Sequence, residues 1–198
     1  MIEIQNIDAS EPYKRFIEFY DKAVEYKQPF LESIVISSFN LLTNQVESRF
    51  VNLKYIHKNE WIFFTNYNSN KAQDFKGHNQ ISALLFWHNI NVQIRIKANI
   101  KKTNIKFNQM HFSKRSLEKN ALAISSNQSK QINSYSQVIE NFNRSLESDD
   151  LKKCPKYWGG YSFIPYYFEF WEGHESRINK REVFDKTDGI WKHLFLQP

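Results

Sequence analysis

The sequence predicts an α+β protein, a small and mostly antiparallel β-barrel with helices on its flanks. Three observations carry that expectation. Short strand-like runs rich in Ile, Val, Phe, Tyr and Trp follow one another from Ile34 to Ile100, separated by brief turn-rich segments. Within them Val92, Ile94, Ile96, Ala98 and Ile100 alternate strictly with Gln93, Arg95, Lys97, Asn99 and Lys101, as a strand with one apolar and one polar face requires. Beyond them, residues 103 to 147 lose the two-residue period and read as two or three helical pieces.

The elements follow in chain order. Ser10 stands as an N-cap with Pro12 in the first turn, and Phe16, Phe19, Tyr20, Ala23 and Val24 recur at helical spacing, which predicts a first helix with one face on the barrel. Strands are expected at Ile34 to Phe39, Arg49 to Ile56, Trp61 to Asn66, Ile81 to Trp87 and Val92 to Ile100, with turns at Asn40 to Asn44 and His57 to Asn59. Ser69 is placed to cap a short helix through Lys71, Ala72 and Phe75. After Pro155, strand-like segments return around Tyr166 to Trp171, Glu182 to Asp185 and Ile190 to Phe195.

Composition narrows the class. Hydrophobic residues make up 41% of the 198 and aromatics 16%, enough apolar surface to offset the entropy of ordering and to exclude intrinsic disorder. Lys and Arg outnumber Asp and Glu by 27 to 21, a formal charge of +6 that favours anionic partners without choosing among them. The lone thiol, Cys154, has no disulfide partner, and no Cys/His spacing of a zinc site occurs, so a reducing compartment and no metal are expected. Met1 to Ser10 lacks the basic and apolar regions of a secretion signal, and no apolar run reaches the roughly 18 residues of a membrane span. A cytoplasmic protein with no membrane partner is the expectation. A boundary near Glu147 to Pro155 would leave a C-terminal piece too short to build its own core, so residues 1–198 are expected to form a single domain.

No Walker loop and no Gly-rich dinucleotide turn is present, which disfavours nucleotide hydrolysis and Rossmann-type binding. Other anion holders are Arg49 and Lys54 on one strand, Lys71 near the start of a short helix, and Arg177 with Arg181 near the C-terminus. Each alone is more often a solvated surface charge. Arg49 and Lys54 have opposite parity in a regular strand, so they are expected to face opposite ways and need not share a ligand. Arg95 and Lys97 beside Trp87 suggest single-strand nucleic-acid binding only weakly, because acidic residues are mixed evenly among them. The six histidines form no triad or metal-ligand spacing.

In order along the chain stand Arg49-x4-Lys54, Phe63-Phe64-Thr65-Asn66, Ser69-Asn70-Lys71-Ala72, Leu84-Leu85-Phe86-Trp87-His88, Gln93, Gln128-Ser129, Trp158-Gly159-Gly160-Tyr161, and Glu169-Phe170-Trp171-x5-Arg177-Ile178-x2-Arg181. This series closely resembles the pyridoxamine (pyridoxine) 5′-phosphate oxidase family over roughly residues 11 to 198. The Trp-Gly-Gly-aromatic and Glu-Phe-Trp…Arg-Ile…Arg stretches are its most specific parts. The resemblance implies a split β-barrel homodimer, with segment 155–198 serving dimerisation and two FMN sites at the subunit interface. By matching position, FMN contacts would fall on Arg49, Phe50, Val51, Asn52, Leu53 and Lys54, on Phe64 and Thr65, on Ser69 and Lys71, on Gln93, and, from the other subunit, on Gln128, Ser129, Trp171 and Arg181. Substrate contacts would fall on Lys54, His111, Arg115, Lys119, Arg177 and Asn179, with Arg177 and Asn179 nearest the reacting group. The implied activity is oxidation of pyridoxine or pyridoxamine 5′-phosphate to pyridoxal 5′-phosphate, with oxygen as electron acceptor.

The sequence departs from the family mainly on the substrate side. His111 stands for a Tyr, Lys119 for a Ser, Asn179 for the His of Arg-x-His, and Lys180 for an Asp, Asn or Glu. Asn70 replaces a basic residue on the flavin side. Lys119 adds charge and His111 can still donate, so a phosphate pocket is expected to survive. Asn179 hydrogen-bonds but exchanges no proton near neutral pH, which puts rate or substrate identity in question. Two other readings therefore stand beside the first: a relative that oxidises a different small molecule, as phenazine-pathway flavin oxidases of this superfamily do, and a non-catalytic FMN or pyridoxal phosphate binder.

Overall fold

The computed structural model describes residues 1–198. Its elements are β1 (Glu3–Gln5), α1 (Glu11–Glu25), β2 (Ser33–Asn40), β3 (Gln45–His57), β4 (Glu60–Asn66), α2 (Asn70–Gly77), β5 (Gln80–Trp87), β6 (Val92–Lys102), α3 (Ile105–Lys114), α4 (Leu117–Ser125), α5 (Tyr135–Ser148), β7 (Trp158–Glu172), β8 (Lys180–Thr187) and β9 (Ile190–Leu196). The expected strands are present, each somewhat longer than its apolar run, and the 103 to 147 stretch resolves into α3, α4 and α5. None of the helices is long and apolar enough to cross a membrane.

Antiparallel pairing closes the ring β3–β2–β5–β6–β7–β4–β3, so the barrel has no free edge between these strands. The strand β7 makes this closure and also leaves it. Its first half, Trp158 to Phe163, pairs with β4, whereas its second half, Tyr167 to Glu172, pairs with β8, which in turn carries β9. Between the halves lies Pro165, which has no N–H to donate, and the register with β6 slips there, between Lys97 and Ala98. The barrel thus splits along one strand into a closed body and a C-terminal extension. A short parallel strand, β1 on β3, was not expected from the sequence.

The core is one cluster of 30 buried residues, to which β6 contributes Val92, Ile94, Ile96, Ala98 and Ile100, the apolar face of its alternation. Helix α1 lays Tyr13, Phe16, Phe19, Tyr20 and Ala23 over one end of it. Val24, grouped with that stripe by spacing, is 41% exposed instead, because one residue past Ala23 turns the side chain about 100° away from the core. Both expected side-chain caps are also corrected. Ser10 and Ser69 occupy the N-cap positions, but the Ser10 hydroxyl donates to Asp8 and the Ser69 hydroxyl to the carbonyl of Asn66, so neither caps a helix through its side chain.

Candidate active site

Two adjacent glycines decide how the site is built. Gly159 and Gly160 lie inside β7, and a Cβ on Gly159 would collide with Tyr67 and Asn108, while one on Gly160 would meet Thr103 Oγ1 at 2.6 Å. Their bareness lets α3 settle directly on the strand. Asn108 Oδ1 accepts from the Gly160 N–H at 2.9 Å, and Asn108 Nδ2 donates to the Tyr67 hydroxyl at 3.0 Å. One helical turn after Asn108, His111 and Phe112 are set against Phe64 of β4 and Trp158 of β7. His111 lies flat on Phe64, with ring centroids 3.7 Å apart and an angle of 10°, and Phe64 stacks in turn on Trp158 at 5.2 Å.

This aromatic wall borders a cleft of about 570 Å³. Arg49, Phe50, Val51, Asn52, Lys54, Phe64, Thr65, Lys71, His111, Arg115, Lys119, Gln128 and Ser129 all line it, and so do Asn70, Trp158 and Glu47, the last not singled out by sequence. Its charged lining is five cations against one carboxylate, Glu47, which is already bound to Arg49 at 2.7 Å. Arg49 is held from below as well: its Nη1 donates to Ser38 Oγ at 2.6 Å, and Ser38 donates to Asp74 of α2. Arg49 and Lys54 share the cleft despite their opposite parity. The pairing of β3 with β4 slips between Leu53 and Tyr55, which interrupts the regular alternation at Lys54. Leu53 itself is fully buried in the core, leaving only its backbone for any ligand.

Lys71 is the most telling of the cations. It is 7% exposed, and its ammonium donates to Thr65 Oγ1 at 3.1 Å and Ser69 Oγ at 3.4 Å with no carboxylate bound to it. Burial, then the nearby Arg49, pushes its pKa down to about 8 against the pull of Glu47. Ser69 is wholly buried and supports Lys71 from beneath the cleft. Arg115 stacks over Trp158 at 4.4 Å, and its Nη1 is buried without a partner. Gln128, expected from a second subunit together with Ser129, belongs to this chain's own cleft, where its Oε1 accepts from Thr65 Oγ1 at 3.3 Å. A buried, unpaired ammonium and an orphaned guanidinium nitrogen beside flat aromatic rings fit a ligand with an anionic group and a planar ring system.

The remaining expected residues gather elsewhere. Gln93, Trp171 and Arg181 stand side by side across β6, β7 and β8, and none of them lines the cleft. Glu169, 1% exposed, accepts from Arg95 at 2.8 Å and from the Nε of Arg181 at 2.9 Å, so Arg181 is fixed in place. Arg177 is exposed, with φ of 61°, on the loop between β7 and β8. On that loop Asn179 Oδ1 accepts from the His174 N–H at 2.9 Å. Tyr55 is the residue that sequence reasoning missed: its hydroxyl lies 2.8 Å from His111 Nδ1, and nothing in its own stretch of sequence signals that contact.

Comparison with known proteins places these features in context. Residues 158–198 match the model for the pyridoxine 5′-phosphate oxidase C-terminal dimerisation region. The chain is 30% identical, over its whole length and 93% of the relative, to the pyridoxine/pyridoxamine 5′-phosphate oxidase of Paraburkholderia phytofirmans. Its fold is similar to that of PhzG from Burkholderia lata 383, solved in complex with tetrahydrophenazine-1-carboxylic acid, with TM-score 0.88, 22% identity, and 96% and 93% of the two chains covered. A second similar fold is a pyridoxamine 5′-phosphate oxidase-related, FMN-binding protein from Nostoc punctiforme, with TM-score 0.79, 11% identity, and 96% and 99% of the chains covered.

Proposed function

The chain belongs to the pyridoxine/pyridoxamine 5′-phosphate oxidase family, and from that premise we propose that it is an FMN-dependent oxidase converting pyridoxine or pyridoxamine 5′-phosphate to pyridoxal 5′-phosphate. The observation that carries this reading is the cleft itself: five cations, one of them the buried and unpaired Lys71, beside an aromatic wall. Arg49, Lys71, Thr65 and Gln128 are the residues assigned to FMN, whose isoalloxazine ring, when bound, supplies the acceptor for a hydride. Lys54, Arg115, Lys119 and His111 are assigned to the phosphate of the substrate.

In the overall reaction an alcohol and oxygen give an aldehyde and hydrogen peroxide. An amine, oxygen and water give the aldehyde, ammonia and peroxide. The chain's own work is to orient the substrate and to hold charge where water is excluded. Arg115 and Lys54 hold the phosphate end, which leaves the carbon bearing the hydroxyl or amine for Arg177. Because Arg177, Asn179, Trp171 and Arg181 lie outside the cleft, they are assigned to the cleft of a second copy, making the working unit a homodimer whose chains each act as one domain. The cytoplasm is the assigned compartment, on the single unpaired cysteine.

The test is direct. The purified protein should be yellow with flavin bands and should release peroxide with pyridoxine or pyridoxamine phosphate. A second reading, oxidation of another small molecule, is favoured by His111, Lys119 and Asn179; flavin bands without peroxide from either B6 phosphate would refute the first reading and leave this one and a non-catalytic binder, which peroxide release with another small molecule separates.

A further inference from the structure

His111 lines the cleft with one ring nitrogen already engaged. Its Nδ1 lies 2.8 Å from the Tyr55 hydroxyl, the ring is clamped flat against Phe64, and Tyr55 meets it edge-on at 5.3 Å and 81°. One face and the Nδ1 edge of the imidazole are therefore fixed, and Nε2 is the ring nitrogen left for a ligand. The charges that act on the ring are cationic, the cleft's one carboxylate, Glu47, being bound to Arg49. Burial first, then Arg115, Lys54 and Lys114, hold the ring neutral by pushing its pKa down to about 4, and Lys119 adds a further positive charge to the same cleft. Tyr55 keeps its own proton, since burial and then Glu3 raise its pKa.

A neutral imidazole beside a phenol can share the contact in two ways. Either the phenol donates to Nδ1, or Nδ1–H donates to the phenol oxygen. The phenol is the stronger acid and the imidazole nitrogen the stronger base, so the first arrangement makes the better hydrogen bond. The hydroxyl has no other acceptor within the chain, so the second arrangement would leave its proton unused by the protein. The consequence for the cleft is a matter of sign. With Nδ1 accepting, Nε2 carries the hydrogen and attracts an anion; with Nδ1 donating, Nε2 presents a lone pair and repels one.

We propose that Tyr55 is a positioning residue of the cleft, locking His111 as its Nε2–H tautomer and so making it a fixed neutral donor to the substrate phosphate. The proposal rests on the phosphorylated-substrate reading above and deepens it. Lys54, Arg115 and Lys119 supply charge, which draws in any anion; His111 supplies a direction, which selects one placed in line with Nε2. Without Tyr55 both tautomers would be populated, and apparent affinity would fall in proportion to the competent fraction.

The experiment is long-range proton–nitrogen correlation NMR on holoprotein carrying nitrogen-15 histidine, with the His111 signal identified by its loss in His111→Gln. Wild type should show His111 neutral and Nε2-protonated from roughly pH 5 to 8, the window in which an unperturbed histidine titrates. Its Nε2 should shift on adding inorganic phosphate or pyridoxine phosphate. Tyr55→Phe, which keeps the ring and its packing, should show mixed tautomers, bind pyridoxine phosphate about twofold more weakly as the competent fraction halves, and retain FMN. Tyr55→Gln, whose amide can donate to Nδ1, should recover part of the loss. An Nδ1–H or cationic His111 in wild type, or an unchanged tautomer in Tyr55→Phe, would overturn the proposal. So would a His111 signal that responds to neither anion. If inorganic phosphate shifts it but pyridoxine phosphate does not bind, the positioning role stands and the B6 substrate reading falls.

Discussion

The two halves of the expected site differ in what their cations already hold. In the cleft, Lys71 has no carboxylate partner, Arg115 keeps a buried nitrogen unpaired, and one glutamate faces five basic residues. On β8, by contrast, Arg181 spends its guanidinium on buried Glu169 and on the carbonyl of Gln197, and Arg177 stands exposed on a loop. The first half, assembled within one chain, holds basic groups without anionic partners. In the second, Arg181 is already paired, and Gln93 and Trp171 stand beside it on neighbouring strands outside the cleft. That contrast is the physical argument for a site completed by a second copy, and it orders the experiments that follow.

The largest effect is expected at Lys71, the buried cation of the cleft, which has no carboxylate partner. Lys71→Met should weaken FMN binding about a hundredfold or more in a titration of apoprotein, since it deletes a buried charge-assisted contact. The same change should stabilise the apoprotein at pH 7 by roughly 2 kcal/mol, because folding now forces a buried ammonium to stay charged without a partner. The sign follows from the depressed pKa. Between about 8 and the ordinary 10.5 the unfolded chain binds more protons than the folded one, so apoprotein stability rises with pH across that window. FMN affinity should move oppositely, falling above about pH 8 as Lys71 loses the proton the anion requires. Melting curves of wild-type and Lys71→Met apoprotein from neutral to alkaline pH check the stability, and FMN titrations over the same range check the affinity; melting curves that run parallel would show that Lys71 is not strained.

A smaller effect separates the two strand cations. Arg49 is braced by Ser38, while Lys54 sits at the register slip among the substrate-side residues. Arg49→Ala should therefore weaken FMN about ten- to a hundredfold, and Lys54→Ala should chiefly raise the KM for pyridoxine phosphate. Equal losses of FMN in both would merge the subsites that the assignments keep apart.

The smallest effect is expected at Asn179, where the family has His. Its Oδ1 holds the loop through the His174 N–H, a bond that a histidine Nδ1 can replace. Asn179→His should raise peroxide production with pyridoxine phosphate less than about tenfold and leave FMN binding unchanged. A drop in activity would mean that the loop has been retuned for another molecule.

What the sequence made legible follows from how local each signal is. The alternation along Val92 to Ile100 and the helical stripe of α1 needed only neighbouring residues, and both are present. The first half of β7 was not among the expected strands, which resumed only around Tyr166; two adjacent glycines and a proline carry little strand signal. In the fold, the glycines serve close approach by Tyr67 and Asn108, and the proline marks where β7 changes partners. Barrel closure by β4 against β7 joins segments about a hundred residues apart and has no local signature. The cleft residues were named through the family resemblance, whose motifs Arg49 to Lys54, Phe64 to Lys71 and Gln128-Ser129 are short and contiguous. Two features of the cleft were not. The slip at Lys54 undid the parity argument, and Tyr55 meets His111 across 56 residues.

The central claim, that FMN is held in a cleft completed by a second copy of the chain, is tested most directly by analytical ultracentrifugation of the holoprotein read at both protein and flavin wavelengths. Flavin absorbance sedimenting with a species of twice the chain mass, near one FMN per chain, and leaving that boundary as the dimer is diluted apart, is the predicted result. Flavin that stays with a monomer at full stoichiometry would contradict it.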